Sequence, residues 1–172
     1  VTAGISVIAQ FAINQNTVSF NSQGGSAVDA QTVDHGDLVV EPSDPVRTGY
    51  NFSGWYRESG CTTPWLFMVD VVTGATTLYA GWTLNQYTLT YTAGAGGSIS
   101  GVSPQTVNHG ASGTAVSAVP DTGYHFSQWS DGSSANPRTD TNVTAGISVI
   151  AQFAINQYTV TFNSQGGSAV DA

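Results

Sequence analysis

The sequence predicts a mainly β, or α+β, fold in which two small tandem modules, each with at most one short helix, form an elongated rod. Three observations predict it. A long stretch occurs twice, short segments alternate between apolar and polar residues, and Gly, Pro and Asn turn signals separate those segments. Each module has room for four or five short strands, which is near the lower size limit for a domain with one core.

The repeat is nearly exact. Residues 1–30 recur as residues 143–172, and only two of the thirty positions differ, Asn16/Tyr158 and Ser19/Thr161. The chain is therefore one 142-residue unit followed by the first 30 residues of another. Near-identity over this length indicates recent duplication within a tandem array, which is the feature that decides the architecture.

The first segments predict strands and a hairpin. Residues 5–11 (ISVIAQF) are β-branched and aromatic with period-two alternation, and residues 17–21 (TVSFN) repeat that pattern after an Asn-Gln link. Residues 24–26 (GGS) are a turn signal. Residues 31–36 and 38–41 are predicted to form the return strand, broken at a His-Gly pair.

An aromatic strand follows an extended connection. Pro42 and Pro45 disfavour a helix there. Residues 49–56 (GYNFSGWY) then form a predicted strand, whose strict alternation would place Phe52 and Trp55 on opposite faces.

The remainder of this half-unit is less regular, and the plan then restarts. Residues 57–75 allow either one short helix or an irregular packed loop, and residues 76–82 close the half-unit as a strand. From residue 85 the same order of motifs returns: residues 105–110 match 31–36 at an offset of 74 residues. Other equivalent positions are 49–55 with 123–129, and Leu78, Ala80 and Trp82 with Val149, Ala151 and Phe153.

These equivalences predict four segments. Residues 16–84 form module A and residues 86–155 form module B, while residues 1–13 are the last strand of a preceding B module and residues 158–172 open a following A module. The two end segments are predicted to be unpaired edges that fray, pair out of register or join another molecule. We expect them to pair between molecules at high protein concentration.

Composition narrows the classes of function. Charged residues make up 8% of the chain, against roughly 25% in average globular proteins, and the net charge is −8 with no Lys. Without a basic patch, nucleic acid and anionic membranes are poor partners. The composition is typical of extracellular proteins. No apolar run reaches the roughly 18 residues of a membrane span and no signal peptide is visible, so export and anchoring signals are expected elsewhere.

Cross-linking chemistry is restricted as well. Cys61 is the single cysteine, which excludes an intrachain disulfide, and its preferred interpretation is a small buried or half-buried residue rather than a reactive thiol. The absence of Lys excludes Lys–Asn isopeptide bonds. We therefore expect stability to come from packing, or from a metal.

Module A resembles the Listeria–Bacteroides repeat, the internalin B-repeat family. The resemblance covers the whole module and depends on residues 17–21 (TVSFN), 49–56 (GYNFSGWY) and 77–82 (TLYAGW). Module B resembles divergent bacterial relatives of this repeat through residues 123–129 (GYHFSQW) and 149–153 (VIAQF). It departs from the pattern at Gln128 and Ser130, and it lacks the insert at residues 57–75 with its Trp65 cluster.

The resemblance implies a compact β-grasp (ubiquitin-like) fold in extracellular repeats of large bacterial surface proteins and adhesins. It supplies no catalytic residues, because the family's motifs are core aromatics. The expected structural core is Phe20, Tyr50, Phe52, Trp55, Leu78, Trp82, Tyr124, Phe126, Trp129, Val149 and Phe153.

Metal and catalytic candidates are weak. An oxygen-rich loop with Asp131, Asn136 and Asp140 could hold Ca²⁺, but it lacks EF-hand spacing, and solvated turn residues are the preferred interpretation. His35 and His109 occupy equivalent turns in separate modules, which does not make a closed metal site. His125 is expected to be exposed, and neither glutamate, Glu41 nor Glu58, has a cleft for acid–base chemistry. No enzyme activity and no cofactor are predicted.

Aromatic residues leave one binding hypothesis open. Alternation does not assign Tyr56, Trp65, Tyr79 and Tyr87 to the core, so an exposed pair could stack on sugar rings. Packing within and between modules is the simpler interpretation.

The predicted function is a non-enzymatic stalk of a bacterial cell-surface or secreted adhesin-like protein, with neighbouring repeats as partners. Short Asn-Gln links leave little slack between modules, as in quasi-one-dimensional repeat proteins. The alternatives are a multivalent array that binds carbohydrate or a host protein and a rod whose junctions are rigidified by metal.

Overall fold

The computed structural model describes residues 4–168, which divide into two compact units on either side of the bond between Asn85 and Gln86. All regular elements within these residues are strands. The mainly β prediction is confirmed, and of the two alternatives for residues 57–75 the irregular loop is the one that forms. The parts of the predicted end segments at residues 1–3 and 169–172 lie outside the described residues.

Unit 1 is a four-stranded mixed sheet. Its strands are β1 (Gln15–Asn21), β2 (Gln31–Asp34), β3 (Tyr50–Tyr56) and β4 (Thr76–Leu84). Their order is β2-β1-β4-β3, in which the central pair β1 and β4 is parallel and both edge strands are antiparallel to their neighbours. No helix lies within residues 15–84, so the short helix that the sequence allowed does not form in this unit.

Unit 2 repeats this sheet and adds a hairpin. Its strands are β5 (Gln86–Ala93), β6 (Gly97–Ser100), β7 (Gln105–Asn108), β8 (Ser117–Pro120), β9 (Tyr124–Trp129) and β10 (Ile147–Ile155). The main sheet has the order β7-β5-β10-β9 with β5 and β10 parallel, while β6 and β8 pair separately. The two half-units inferred from the sequence thus have the same sheet topology.

A bulge corrects the predicted facing of the aromatic strand. Phe52 pairs with Trp82 and Gly54 pairs with Gly81, so Ser53 is the extra residue on β3. The bulge brings Phe52 and Trp55 to the same core, with ring centroids 5.6 Å apart, whereas strict alternation would have separated them. Gly54 adopts φ 120°, a conformation that glycine permits and other residues rarely adopt.

Each unit contains four aromatic rings in edge-to-face contact, which we call its aromatic quartet. In unit 1 the rings are Phe20, Trp55, Phe52 and Trp82, with successive centroids 4.9, 5.6 and 5.6 Å apart. In unit 2 they are Tyr91, Trp129, Phe126 and Phe153, at 5.8, 5.7 and 6.2 Å. Edge-to-face pairs contribute beyond their buried area, so each quartet forms the centre of its core.

The remaining predicted core residues divide into two groups. Leu78 and Val149 are buried beside the quartets, at 0% and 4% exposure. Tyr50 and Tyr124 are instead half-buried and lie outside the two core clusters. The guanidinium of Arg47 covers the Tyr50 ring at 3.9 Å, and a side chain at Gly96 would collide with the Tyr124 ring.

Three strand predictions are wrong. Residues 5–11 and 158–163 form no strand, although the corresponding residues 147–153 and 16–21 do. The first pair of segments is identical in sequence and the second differs at two positions, so the missing factor is pairing: β10 lies between β5 and β9, and β1 lies between β2 and β4. Residues 38–41 also form no strand beyond a single bridge from Leu38 to Val71.

Candidate functional site

The oxygen-rich loop of unit 2 is organised around a buried arginine. The Arg138 side chain is 8% exposed, and its Nε and Nη2 donate to the two carboxylate oxygens of Asp140, each at 2.8 Å. Its Nη1 lies 2.8 Å from Oδ2 of Asp131. A bidentate pair of this kind is among the stronger charge-assisted contacts in proteins.

Tyr91 connects this ion pair to the aromatic quartet. Its hydroxyl donates to Oδ2 of Asp140 at 2.7 Å, and the Arg138 guanidinium lies 5.5 Å from the Trp129 ring centroid and 6.0 Å from that of Tyr91. We call Tyr91, Asp131, Arg138 and Asp140 the arginine cluster. It closes one side of the unit 2 core with charged groups that satisfy one another.

The cluster shifts the pKa values of its members. Hydrogen bonds from Arg138 lower the pKa of Asp140 below its ordinary value, and they raise the pKa of Arg138 further. Burial and the hydrogen bond to Asp140 raise the pKa of Tyr91 above its ordinary range. For Asp131, burial is the largest single influence and opposes ionisation, but the hydrogen bonds from Arg138 and from the Ser133 N–H, together with the charge of Arg138, outweigh it and the pKa is lowered. Asp131 and Asp140 are therefore ionised in the folded protein at neutral pH.

This arrangement does not fit a calcium ion. The third candidate ligand, Asn136, uses its side chain to accept the Ala118 N–H at 3.0 Å and to donate to the Ala118 carbonyl at 2.8 Å. The guanidinium of Arg138 occupies the space between Asp131 and Asp140, where a cation would have to lie. Among residues 4–168, no three His, Cys, Asp or Glu side chains come together as metal ligands.

Unit 1 closes its core differently. Its β3–β4 loop, residues 57–75, buries Trp65, whose backbone N–H donates to the Trp55 carbonyl at 2.8 Å. Arg57 covers the Trp65 ring at 4.7 Å and pairs with Asp70 at 2.7 Å, but its side chain is 44% exposed. The β9–β10 loop of unit 2, residues 130–146, is nearly as long as this β3–β4 loop. Unit 2 was predicted to lack the insert; it lacks the Trp65 cluster, but it has a loop of similar length.

A shared turn holds both loops to their sheets. Gly36 N–H donates to the Val72 carbonyl and Gly110 N–H donates to the Val143 carbonyl, each at 2.8 Å. Val72 and Val143 are both buried, at 0% and 3% exposure. The His-Gly pairs therefore serve as anchors through their glycines.

The histidines do not converge. His35 is exposed in its turn, while His109 lies 3.4 Å from the Tyr87 hydroxyl. His125 is exposed, as predicted, with Nδ1 2.9 Å from Oδ1 of Asn156. None of these contacts joins two histidines at one site.

Two further candidates have structural partners. Oε1 of Glu58 accepts from the Thr62 hydroxyl at 2.5 Å and from the Thr62 and Thr63 N–H groups, and these bonds lower the pKa of Glu58. Cys61 is half-buried and its Sγ lies 3.2 Å from Nε2 of Gln23. Glu58 stabilises a turn within the β3–β4 loop, and Cys61 connects this loop to Gln23, just after β1.

The aromatic candidates form no exposed pair. Trp65 is buried, and Tyr56, Tyr79 and Tyr87 are half-buried. The Tyr56 ring lies so close to Gly81 that a side chain there would collide with it, and Tyr87 packs against the unit 2 core and His109. Tyr56 and Tyr79 are paired across β3 and β4, and both are half-buried.

Sequence reasoning missed Arg138 as the centre of the unit 2 loop. The signal available was its scarcity: it is one of three basic residues, and two aspartates flank it within seven positions. Arginine is the basic residue best suited to buried pairing with carboxylates.

Each of the two units matches the model of a known protein family. Residues 17–81 match the family model of the Listeria-Bacteroides repeat domain, and residues 87–157 match that of the divergent InlB B-repeat domain. The chain is a tandem pair of internalin-type repeat domains. Each matched segment covers most of the main sheet of one unit; the first includes three rings of its aromatic quartet and ends one residue before the fourth, Trp82, and the second includes all four.

Relatives contain similar sequence within longer proteins. The chain is 34% identical over 99% of its length to a "Putative Gly-rich membrane protein" and 32% identical over 96% to a "Putative membrane protein", both of Evansella cellulosilytica. It is 33% identical over 73% of its length to Internalin H of Listeria monocytogenes. The matches span 20%, 25% and 23% of these three proteins, respectively. Within residues 4–168 of the present chain, no helix has the length and apolar character to cross a membrane.

Proposed function

We propose that these repeats are a non-enzymatic spacer in an extracellular bacterial surface protein, which carries other domains away from the cell. The observation that supports this most directly is the shortness of the link. β4 ends at Leu84 and β5 begins at Gln86, so Asn85 alone separates the last strand of one unit from the first strand of the next. A link of this length limits the freedom of successive units.

The link residue is itself held by its unit. Asn85 N–H donates to the Gly49 carbonyl at 2.9 Å, and the equivalent Asn156 N–H donates to the Gly123 carbonyl at 2.8 Å. The same Asn-Gln dipeptide recurs at residues 14–15, 85–86 and 156–157. A repeating tie of this kind favours a fixed spacing between units along an array.

The use of the side chains also supports a spacer. In unit 2, the charged loop residues Asp131, Arg138 and Asp140 bind one another. In unit 1, Glu58 stabilises a turn. Near-identity between residues 1–30 and 143–172 suits a role in which length matters more than any individual surface. The names of the Listeria and Evansella relatives are consistent with a place at the bacterial envelope.

Small-angle X-ray scattering on arrays of two, three and four 142-residue units tests the proposal. We expect the maximum dimension to increase linearly with the number of units, and to be the same with Ca²⁺ as with a chelator. Linear growth with Ca²⁺ alone would favour metal-rigidified junctions. A compact or fully flexible profile in both conditions would contradict the spacer, and glycan and host-protein binding assays would then test the multivalent array.

A further inference from the structure

The β3–β4 loop of unit 1 has an apolar outer face. Trp65 and Phe67 pack into the core of the unit, whereas Leu66, Met68 and Val69 point away from it and are exposed. Met68 is 87% exposed, which is unusual for a large apolar side chain in an ordered loop. The loop therefore has one face that closes the core and a second apolar face that contacts solvent.

A second exposed apolar segment lies beside this loop. Leu38 and Val71 form an antiparallel bridge. Because the bridge is antiparallel, Val40 continues the first segment in the direction of Val69. The exposed apolar side chains of the two segments, which we call the apolar patch, are those of Leu38, Val40, Leu66, Met68, Val69 and Val71.

The loop that presents the patch is held by its own hydrogen bonds. The Leu66 carbonyl accepts the N–H groups of Val69 and Asp70, at 2.9 and 2.8 Å, and the Asp70 side chain accepts the Leu66 N–H at 2.8 Å. Asp70 also pairs with Arg57 at 2.7 Å. A surface that is ordered before binding loses less conformational entropy when a partner binds.

Unit 2 forms the same sheet without this patch. By the offsets of 74 and 71 residues that relate the two units, Leu38 corresponds to Ser112 and Val71 corresponds to Asn142. Both of these residues are polar and exposed. Folding of the unit therefore does not require apolar residues at these positions, and a contiguous exposed apolar surface is typical of a binding site.

Carboxylates beside the patch discriminate between possible partners. Asp37 and Glu41 lie at the two ends of residues 37–41 and are exposed, and neither forms an ion pair within residues 4–168. A second copy would bring the same two carboxylates to the contact, and the net charge of −8 disfavours an anionic lipid surface. A partner with cationic groups around apolar side chains complements both features of the surface.

We propose that the apolar patch binds a segment of a partner protein that combines apolar side chains with Lys or Arg residues. The apolar side chains of the segment lie on the patch, and its cationic groups pair with Asp37 and Glu41. A patch of six side chains is smaller than the roughly 800 Å² per partner of a standard interface, so each contact is weak. Recurrence of unit 1 in each 142-residue unit of an array would multiply these contacts.

Three synthetic peptides of equal length test the proposal. The first is an amphipathic peptide of Leu and Lys, the second has Glu in place of each Lys, and the third has Ser in place of each Leu. NMR titration of the isotope-labelled chain measures the affinity and identifies the amides whose signals shift. We expect the Leu–Lys peptide to shift residues 37–41 and 66–71, and the other two to bind at least about 10-fold more weakly.

Variants of the chain make the test specific. Met68→Ser with Val69→Ser removes apolar area from the patch, and we expect the affinity for the Leu–Lys peptide to fall about 10-fold or more. Val102→Ser with Val119→Ser is the matched control, because both valines are exposed in unit 2. This control should bind like the unchanged chain.

The charged residues have a variant of their own. Asp37→Asn with Glu41→Gln keeps the apolar patch and removes both carboxylates, and we expect the affinity for the Leu–Lys peptide to fall by about 3-fold or more. The NMR spectrum of each variant without peptide confirms that both units are folded. Unchanged affinity in this variant would overturn the cationic character of the partner.

The outcomes distinguish the possible partners. Binding of the Leu–Lys peptide at residues 37–41 and 66–71, weakened by the patch variant and preserved by the unit 2 control, would support the proposal. Equal binding by the patch variant and the control, or tighter binding of the Leu–Glu peptide, would overturn it. Dimerisation through the same residues without peptide, or their binding to phosphatidylcholine vesicles in preference to the peptide, would also overturn it, in favour of a second copy or a lipid surface. None of these results depends on whether the array is a spacer.

Discussion

The two units have the same sheet and the same aromatic quartet, but they close the open side of the core in opposite ways. Unit 1 inserts Trp65, which adds apolar burial. Unit 2 inserts Arg138, which brings Asp131 and Asp140 with it. One quartet position differs accordingly: unit 1 has Phe20 where unit 2 has Tyr91. The Tyr91 hydroxyl donates to Asp140 of the closing loop.

This difference shows which parts of the repeat are constrained. The quartet, the bulge and the turn glycines recur, because together they define how the strands pack. The closing loop contributes an apolar ring in unit 1 and an ion pair in unit 2. Two quartet positions differ between the units, Phe20/Tyr91 and Trp82/Phe153, and the first of them touches the closing loop.

Removal of the central tryptophan of either quartet should have the largest effect. Trp55 and Trp129 are 2% and 0% exposed, and Trp→Ala at such positions costs about 3–5 kcal/mol. We expect Trp55→Ala to unfold unit 1 alone and Trp129→Ala to unfold unit 2 alone. NMR spectra recorded along a urea titration follow both units at once. Simultaneous unfolding of both units in either variant would show that they are not independent.

Arg138→Ala should destabilise unit 2 nearly as much. It leaves the Asp140 carboxylate, 17% exposed, without its cation, and loss of one partner from a buried pair costs about 3 kcal/mol or more. Arg57→Ala in unit 1 is the matched control. The Arg57 side chain is 44% exposed in its pair with Asp70, so we expect a loss below about 1 kcal/mol. Equal losses in the two units, measured by urea unfolding, would remove the distinction between a buried and a surface ion pair.

Acid should act on unit 2 through the same cluster. The pKa of Asp140 is lowered in the folded state, so its contribution is present above the ordinary pKa of an unfolded Asp, near 3.9, and is lost as the pH falls through the folded-state value. The lowered pKa of Asp131 acts in the same direction. We expect the free energy of unfolding of unit 2 to decrease below about pH 4, by less than Arg138→Ala costs. Asp140→Asn should flatten this part of the profile; an unchanged profile would exclude Asp140 as its source.

The smallest effect is expected at a site where a glycine of unit 1 leaves room for an aromatic ring and unit 2 has neither residue. Gly81 of unit 1 lies under Tyr56, and the equivalent residues of unit 2 are Gln152 and Ser130. Gly81→Gln should cost about 1–3 kcal/mol through overpacking. The added change Tyr56→Ser, which imitates unit 2, should recover part of this loss. Additive losses in a double-mutant cycle by urea unfolding would show that the two positions are not coupled.

Much of this architecture follows from sequence patterns alone. The offsets of 74 residues at 49–55 and 123–129, and of 71 residues at Trp82 and Phe153, predict equivalent positions, and the two quartets occupy them. The bulge at Ser53 was missed because alternation assumes an uninterrupted ladder. The burial of Arg138 was missed because charge normally indicates a solvated loop.

The identical segments show a more general limit. Residues 5–11 and 147–153 have one sequence, and only the second is a strand. Local pattern describes the capacity to form a strand, while the neighbours β5 and β9 decide whether it forms. A prediction from one segment cannot contain that information.

The parallel pairing of the first and last strands has a mechanical consequence. In unit 1, β1 and β4 lie side by side and point the same way, as β5 and β10 do in unit 2. Tension applied to the two ends of a unit therefore pulls these strands past each other along their length. The load falls on all their hydrogen bonds at once, rather than on one bond after another as in a hairpin that is peeled open. Under tension, each unit resists extension at the two strands through which the pull enters and leaves.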